Sequence, residues 1–390
     1  MAVVFDPSMF AQIGQEVFNS VLNMKDPLKV DRKKMPLLAY LRKKEVDAPT
    51  AGNLGPQVIY KNTLNNKGQG WHGRQILAFN SVQFDMQTTF PWANYHYGLE
   101  LTHDDVEAKG FVVIPNAQRG KNFAKSDSKS DKFKKIDFMS ETIESMMDDY
   151  DVNEDLVLHT DNSSDAELPQ GLEAFLPLGV TGGMTTGSGA TGGTYGYYNA
   201  GSIGGLSRSA YPNQLQHFVW VNATYGADNS ARTSLNRCLN ESQVRSRGRA
   251  KKGIEFMIAG RGWIERYIAS ATSVGTTYNN AVTVLKDGGL GHLDIAIPDE
   301  AIHFHGIPIL HDPTLDQLDI LFPGQTYAYT NRCYGIDRGG FELGVAGGKV
   351  RLFSAPLDPS DQRIIRLSID TKEVLLPKAP NSCFVHHFAA

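Results

Sequence analysis

The spacing of hydrophobic residues changes once in the first half of the chain. Apolar and polar residues alternate over 82–90 and again over 95–101, which is the period of a half-buried strand. Over 133–150 the apolar residues recur every three or four positions, which is the period of an amphipathic helix. The sequence therefore predicts an extended β-hairpin loop within 61–102, followed by one unusually long helix over about 131–159.

The predicted hairpin has little material for a core of its own. Its tip falls in a run of turn-forming residues at 65–70, which includes Lys67. Phe84 and Met86 lie on the apolar edge of the returning strand. Because an isolated two-stranded hairpin is marginally stable in water, we expect this edge to pack against another chain. An ordinary strand pair inside a larger sheet is the alternative.

Residues 1–60 have the pattern of an extended arm. A short amphipathic stretch over 10–22 is followed by a basic run, and prolines interrupt regular structure. The basic residues are Lys29, Arg32, Lys33, Lys34, Arg42, Lys43 and Lys44. Such a segment cannot form a core alone, so we expect it to lie on another part of the protein.

The charges of the predicted long helix oppose its dipole. Lysines lie near its start and carboxylates near its end, whereas the dipole favours the reverse order. The carboxylates are Asp148, Asp149, Asp151, Glu154 and Asp155. They lack the spacing and the glycine of a calcium-binding loop, so we interpret them as a solvated or arm-paired helix face. The basic run at 29–44 is the expected partner, in the same subunit or in the next.

The rest of the chain divides by composition. The glycine-rich stretch 177–206 is expected to be a loop or flap. Residues 207–305 read as a mixed α/β unit, with a helix at 231–247, a strand at 254–259 and a second helix at 262–270. Residues 306–390 read as β-rich. The strands predicted there cover 306–310, 317–322, 326–330, 341–345, 349–353, 363–369 and 383–388.

Composition limits the function classes that the chain can serve. It has 390 residues, of which 21% are charged, and a formal net charge of −4. This balance disfavours a dedicated nucleic-acid-binding protein but allows loose contact with nucleic acid. The three cysteines have neither metal-ligand spacing nor an even count, so we interpret them as reduced, mostly buried thiols of a protein made in a cytoplasm. We expect neither a signal peptide nor a membrane span.

No group of residues in the sequence favours an enzyme. The glycine-rich stretch lacks the Gly-Lys-Ser/Thr ending of a phosphate loop. His303 and His305 are expected to share one face of a strand, with His311 and Asp312 nearby, but a convincing fourth zinc ligand is missing. We therefore expect no catalytic, cofactor-binding or metal-binding residues.

Several short motifs follow one another in a characteristic order. An aromatic strand, a polar step and a glycine precede the long helix, and a Gly-Leu turn and three later motifs follow it. These motifs lie at 91–101, 102–105, 110, 171–172, 204–208, 211–222 and 307–312 together with 327–331. Their order resembles that of the major capsid proteins of tailed bacteriophages, which have the Hong Kong 97 fold. The glycine-rich 181–205 is longer, and the spacing from Pro212 to Trp220 wider, than is usual in that family.

The resemblance implies an α+β chain with four parts. These are an N-terminal arm at 1–60, an extended β-hairpin loop at 61–102, a peripheral domain at 103–205 and 306–390 with the long helix as its spine, and an axial domain at 206–305. It also implies a structural protein that assembles as pentamers and hexamers into an icosahedral virion shell around packaged double-stranded DNA. Assembly in the host bacterial cytoplasm, with scaffold, portal and cement proteins as partners and without a membrane, belongs to the same expectation.

The same resemblance makes the arm, the loop and the helix end candidate intersubunit contacts. The candidates are Lys33, Lys34, Arg42, Lys43, Lys67, Phe84, Met86, Asp148, Asp149 and Asp151. Some members of the family cross-link a loop lysine to an asparagine of another subunit. The sequence has no local signature for that reaction, so we expect non-covalent contacts.

Two other functions stay open at this point. The first is the shell of a cellular nanocompartment, an encapsulin-like protein of the same fold that encloses cargo enzymes instead of DNA. The second is a β-rich enzyme or glycan-binding protein, which predicts a small oligomer with one concave pocket. Particle size and nucleic-acid content distinguish the three functions.

Overall fold

A computed structural model describes most of the chain, with gaps. The described residues are 3–5, 35–48, 55–61, 85–102, 111–113, 129–163, 165–179, 187–188, 193–223, 230–245, 253–273, 302–346, 352–357 and 364–389. Four candidate contacts fall outside the described residues, namely Lys33, Lys34, Lys67 and Phe84. The predicted hairpin tip at 65–70 and the amphipathic stretch at 10–22 also fall outside them.

One helix is much longer than the others in the described part of the chain. The α-helices are α1 (Pro36–Lys43), α2 (Lys129–His159), α3 (Leu172–Phe175), α4 (Pro212–Leu215), α5 (Ser230–Arg245), α6 (Arg261–Ser273) and α7 (Pro313–Leu321), with 3₁₀ turns at Tyr329–Asn331 and Pro380–Ser382. The long helix α2 has 31 residues, which corresponds to about 46 Å. It confirms the helix predicted over 131–159.

The strands belong to two large sheets and three small ones. In chain order they are β1 (Val3–Phe5), β2 (Glu45–Ala48), β3 (Gln57–Lys61), β4 (Asp85–Thr89), β5 (Ala93–Thr102), β6 (Phe111–Val113), β7 (Gly187–Ser188), β8 (Thr194–Tyr197), β9 (Ser202–Ile203), β10 (Leu206–Ser207), β11 (Phe218–Ala223), β12 (Ile254–Ala259), β13 (Ile302–Phe304), β14 (Ile307–His311), β15 (Arg332–Asp337), β16 (Phe341–Ala346), β17 (Leu352–Leu357), β18 (Ile364–Pro377) and β19 (Phe384–Phe388). The small sheets are the pairs β1–β6, β3–β4 and β9–β10.

The larger sheet has eight strands in the order β13-β14-β12-β15-β19-β11-β8-β7. The pairs β12–β14 and β11–β19 are parallel, and the other neighbouring pairs are antiparallel. Because strands from 254–259 and from 302–311 are neighbours in it, the predicted boundary between axial and peripheral domains at residue 305 runs through this sheet.

The eight-stranded sheet is buried on both faces. Along β11, Phe218 and Trp220 contribute to one hydrophobic cluster, and the alternating Val219 and Val221 contribute to a second cluster. A strand of this kind is apolar at nearly every position instead of at every second one. The first cluster lies against α5 and α6, and the second is shared with α1 and with the smaller sheet.

The second large sheet carries the strand that covers the long helix. Its order is β17-β18-β16-β2, and β5 also pairs with β18. The ten residues of β5 lie antiparallel to β18, from Ala93 opposite Glu373 to Thr102 opposite Ile364. Tyr95 and Tyr97 point from β5 to the ring of Tyr150 on α2, at centroid distances of 5.3 and 6.3 Å.

The strands of the predicted hairpin do not all pair with one another. Strands β3 and β4 form an antiparallel pair that is the stem of the excursion, but β5 leaves this ladder and pairs with β18. The stem also has more core than expected. Val58, Tyr60, Met86 and Phe90 are buried in the hydrophobic cluster of their own chain, because alternate positions of a strand face the same side.

The predicted strand at 317–322 is wrong, because residues 317–321 belong to helix α7 and Phe322 caps its C-terminus. Asp312 caps this helix, its Oδ1 accepting a hydrogen bond from the Thr314 backbone nitrogen, and a proline occupies the first helical turn. Leu315 and Leu318 are buried at helical spacing. The predicted strand at 326–330 is likewise replaced by a 3₁₀ turn over Tyr329–Asn331.

The glycine-rich stretch is also more ordered than expected where the structure describes it. Strand β8 pairs with β11, and the ring of Tyr195 stacks on that of Trp220 at 4.5 Å. Ile203, the last residue of the short strand β9, is 1% exposed. The prediction of an unpacked flap over 177–206 is wrong for this part, because its aromatic residues supply the packing that its glycines lack.

Candidate functional site

The acidic end of the long helix meets the start of two other helices, and we call this contact region the junction. It consists of residues from α1, α2 and the start of α7. They are Leu38, Arg42, Asp151, Glu154, Asp155, His159, Asp312 and Thr314. The arm-paired interpretation of the acidic residues is thus the one observed for Asp151 and Glu154, within one chain.

Arg42 forms the outer part of the junction. Its Nη2 donates to Glu154 Oε2 at 2.6 Å and also to the Asp151 carboxylate. Its side chain is 15% exposed, and those of Asp151 and Glu154 are 4% and 3% exposed. Burial by itself lowers the pKa of Arg42, but the two carboxylates outweigh it, so the pKa is raised and the guanidinium stays charged.

His159 forms the inner part of the junction and is fully buried. Its Nε2 donates to Asp312 Oδ2 at 2.8 Å, and its Nδ1 donates to the backbone oxygen of Asp155 at 2.7 Å. Burial lowers the pKa of His159, but Asp312 and then Asp155 outweigh it and raise the pKa to about 9. The imidazole is therefore charged at neutral pH, which fits its two donated hydrogen bonds.

Asp155 connects the long helix to both of the other helices. Its Oδ1 accepts from the Leu38 backbone nitrogen at 3.2 Å, and its Oδ2 accepts from Thr314 Oγ1 at 2.5 Å. Burial raises the pKa of Asp155 to about 7, although the charge of His159 opposes the shift. One carboxylate thus ties three elements that are far apart in sequence.

The inner residues have the chemistry of metal ligands but not the free atoms. Ligand atoms of Asp155, His159 and Asp312 lie within 4.8 Å of one another. Each side-chain nitrogen and oxygen among them already has a hydrogen-bond partner, since Asp312 Oδ1 accepts from the Thr314 nitrogen. We therefore treat the junction as a saturated hydrogen-bond network and not as a coordination site.

The sequence contained a signal for this network that the pattern analysis missed. Met147, Asp151, Asp155 and His159 follow one another in steps of four, which places them on one stripe of the helix. The polar residues thus continue the buried apolar stripe instead of forming a solvated face. Their partner Asp312 could not be found in the same way, because it lies on a different helix.

The other candidate contacts described by the structure fall in three environments. Asp149 and Lys43 are exposed, and Asp148 is half-buried. Met86 is 6% exposed in the core of its own chain, so little of its surface is left for a neighbour. Arg42 and Asp151 pair with each other inside one chain, which is the same-subunit alternative that the sequence analysis left open.

The histidines and cysteines that the sequence analysis singled out do not come together in one site. His305 lies in the turn after β13 with a φ of 52°, so the prediction that it shares a strand face with His303 is wrong. His305 Nε2 contacts Asn236 at 2.6 Å, and His311 Nε2 contacts Asp316 at 2.8 Å. The three cysteines are buried and free, as predicted.

Among the described residues, none of the helices combines the length and the hydropathy that a membrane span requires.

No protein-family model and no curated protein sequence matches the chain. Solved structures do match it. The cyanophage A-1(L) capsid asymmetric unit matches with a TM-score of 0.50 and 13% identity, covering 91% of this chain and 92% of that chain.

The chain has the fold of this phage capsid structure. The prediction of an α+β phage capsid fold is confirmed at this level. Two further similar structures are the mature capsid of bacteriophage PhiM1, with a TM-score of 0.48, 9% identity and coverage of 90% and 86%, and Mycobacterium phage Ogopogo, with a TM-score of 0.47, 11% identity and coverage of 90% and 92%. Within the capsid fold, the junction lies where the long helix ends.

Proposed function

We propose that this chain is the major capsid protein of a tailed bacteriophage and that its copies assemble into the icosahedral shell that encloses packaged double-stranded DNA. The observation that carries the proposal is the capsid fold, which is shared over 91% of this chain and 92% of the cyanophage chain. The matched chain belongs to a phage capsid asymmetric unit. The proposed role is therefore structural, in the virion, after assembly in the host cytoplasm.

In the proposed shell, the parts of the chain have the roles of a Hong Kong 97-like subunit. The arm at 1–60 and the excursion between β3 and β4, which is the part of the predicted loop 61–102 that keeps hairpin pairing, reach neighbouring subunits. The peripheral domain at 103–205 and 306–390 uses α2 as its spine, and the axial domain at 206–305 meets its copies in pentamers and hexamers. The length of α2 supports its role as a spine, and the antiparallel stem β3–β4 supports an extended loop. The proposed boundary at 305 divides strands that pair in one sheet.

The proposed contacts follow from charge and sequence position and, for Lys43 and Asp149, also from exposure. Rings of identical subunits need two different surfaces per chain, because each copy meets its neighbours head to tail. The basic Lys33, Lys34 and Lys43 are proposed for one surface and Asp148 and Asp149 for the other. Lys67 and Phe84 are proposed for the hairpin loop. Scaffold, portal and cement proteins, and loose contact with DNA, complete the proposed set of partners.

The test is the size and content of the particle that the full-length chain forms. We expect closed shells or rings of megadalton size in sedimentation velocity and electron microscopy. Shells from infected cells should contain double-stranded DNA, whereas a nanocompartment of the same fold would contain cargo protein instead. A monodisperse monomer with catalytic turnover would contradict the proposal.

A further inference from the structure

Three helix ends meet at the inner part of the junction, and each meets a charge that suits its dipole. The N-terminus of a helix carries unpaired N–H groups and a partial positive charge, and the C-terminus carries the opposite. At α1 the N-cap residue Met35 makes no side-chain capping bond, and Asp155 of the long helix accepts from the Leu38 nitrogen in its place. At α7 the capping carboxylate is Asp312.

His159 lies between these two caps at the C-terminal end of α2. Its charged ring donates to the Asp312 carboxylate and to the backbone oxygen of Asp155. Thr314 closes the arrangement by donating its hydroxyl to Asp155 and its backbone nitrogen to Asp312. One cation thus holds two capping carboxylates that would otherwise repel each other in a buried place.

On the side that faces away from the long helix, α1 packs against the core and against the end of β15. Leu37, Leu38, Tyr40 and Leu41 are buried, and Tyr40 Oη donates to the backbone oxygen of Asp337 at 2.9 Å, at the end of β15. The helix is therefore packed between the long helix and the turn that joins β15 to β16. Its contact with the long helix includes the hydrogen bond from the Leu38 nitrogen and the ion pairs of Arg42, so part of its strength depends on charge.

We propose that Asp155, His159 and Asp312 form a proton-dependent latch that holds the N-terminal ends of α1 and α7 on the long helix and that opens as the pH rises. The inference is independent of the proposed function, because it concerns contacts within one chain. In its closed state the latch holds α1 on the long helix, and in its open state it releases α1 from that helix.

The direction of the pH effect follows from the charges that face the latch. The groups facing His159 are Asp312 of α7 and Asp155 of its own helix, and α1 contributes the Leu38 amide. Arg42 of α1 is held one turn away by Asp151 and Glu154 and stays charged throughout. When His159 loses its proton, the two carboxylates face each other without a cation.

The two titrating groups shift the equilibrium in the same direction. His159 has a pKa of about 9 in the closed latch, against an ordinary value of 6.5, so its stabilisation is complete below pH 6.5 and lost as the pH rises through 9. Asp155 has a pKa raised from 3.8 to about 7, so the closed latch also binds its proton more tightly than the open one. Both groups therefore favour opening at higher pH.

The experiment is hydrogen exchange of the full-length chain between pH 6 and pH 9.5, read by mass spectrometry and corrected for the intrinsic rate at each pH. The informative peptide is the one that covers α1. A peptide over β19, in the middle of the eight-stranded sheet, reports global unfolding in the same sample. We expect the opening constant of α1 to rise by up to about tenfold per pH unit between pH 7 and pH 9, since opening releases one proton. It should stay well above the opening constant of β19 at every pH, because β19 exchanges only through global unfolding.

Two variants identify the group that titrates. In His159→Gln the rise of the α1 opening constant above pH 7 should disappear. His96→Gln, which changes an exposed histidine paired with Asp370 on the outer face of β5, should keep it. The proposal is overturned if α1 of the unmodified chain opens with no pH dependence, or only together with β19. This comparison decides the question even where His159→Gln does not fold.

Discussion

Arg208 shows how this chain can hold a charge inside its core without a carboxylate. It is 1% exposed, and it donates to the backbone oxygens of Leu215, Ala174 and Phe175 and to Nδ1 of His217. Burial and the charge of Arg208 lower the pKa of His217 well below its ordinary value, so the ring is neutral and can accept this bond. The guanidinium therefore joins the turn after the long helix to the segment before β11.

Replacing this arginine should cost far more stability than replacing an exposed one. In Arg208→Met the backbone oxygens of Leu215 and Phe175 lose a buried donor and that of Ala174 loses a partly buried one. Each unsatisfied buried group costs about 1–3 kcal/mol. We expect the free energy of unfolding in urea to fall by about 2–4 kcal/mol. Arg366→Met is the control, because Arg366 is exposed and pairs with Glu100 on the surface of the sheet. It should change stability by less than about 1 kcal/mol. Equal losses would contradict the role of Arg208.

The backbone at the end of the long helix leaves no room for a side chain at Gly171. A Cβ at this position would lie 2.2 Å from the backbone oxygen of Thr160 and 2.5 Å from that of Leu158. Gly171→Ala should therefore lower the melting temperature clearly, with a loss of about 1–3 kcal/mol from overpacking. Gly179→Ala is the matched control, since its Cβ would meet the ring of Tyr198 at an ordinary 3.5 Å. A stable Gly171→Ala protein would show that the turn can move away from the helix.

At the scale of elements, the contact between α1 and the long helix depends on Arg42. Arg42→Met leaves the carboxylates of Asp151 and Glu154 buried without their cation, and breaking such a pair costs about 3–5 kcal/mol. Because the Arg42 side chain is 15% exposed, we expect a loss of about 2–4 kcal/mol in urea unfolding. Lys43→Met removes an exposed charge from the next position and should be nearly neutral. A neutral Arg42→Met would mean that water replaces the guanidinium.

The elements that local periodicity specifies were predictable. Helix α2, strand β12 and helix α6 appear within a few residues of the predicted 131–159, 254–259 and 262–270, because each carries its own apolar pattern. Helix α7 was mistaken for a strand although Asp312 and Pro313 before Leu315 give a helix start. Its apolar run was too short for periodicity alone to decide.

The pairings of distant segments were not predictable from local patterns. Strand β5 was expected to pair with its neighbour in sequence, yet it pairs with β18. Both candidate partners have alternating apolar residues, so nothing local distinguishes them. The junction has the same difficulty, since Asp155 and Asp312 are 157 positions apart in the numbering of the chain. Its electrostatics became visible only when α1, α2 and α7 were brought together.

At the scale of the whole molecule, the junction divides the basic run of the arm into two groups. Arg42 is used inside the subunit, where it compensates the acidic end of the long helix. Lys33 and Lys34 lie outside the described residues, and Lys43 is exposed. A test that neutralises all four residues together would therefore mix a loss of subunit stability with a loss of contacts between subunits.

The sharper test neutralises the three lysines and leaves Arg42 in place. If Lys33, Lys34 and Lys43 contact the acidic Asp148 and Asp149 of neighbouring subunits, the triple glutamine variant should assemble less well. The deficit should be largest at low salt, because the Debye length is about 30 Å at 0.01 M and about 8 Å at 0.15 M. Sedimentation velocity across this range measures the fraction of chain in shells or rings.

The control for that experiment removes the same number of charges elsewhere. Arg366, Lys372 and Lys378 lie on β18 and just after it, where they are exposed or half-buried, and their triple glutamine variant lowers the net charge equally. If both variants lose assembly to the same extent, the cause is the overall charge of the chain. If the arm variant alone loses assembly and recovers as salt screens the remaining repulsion, the arm lysines make attractive contacts of their own. Unchanged assembly of the arm variant at low salt would refute pairing between the arm and the acidic helix end of a neighbour.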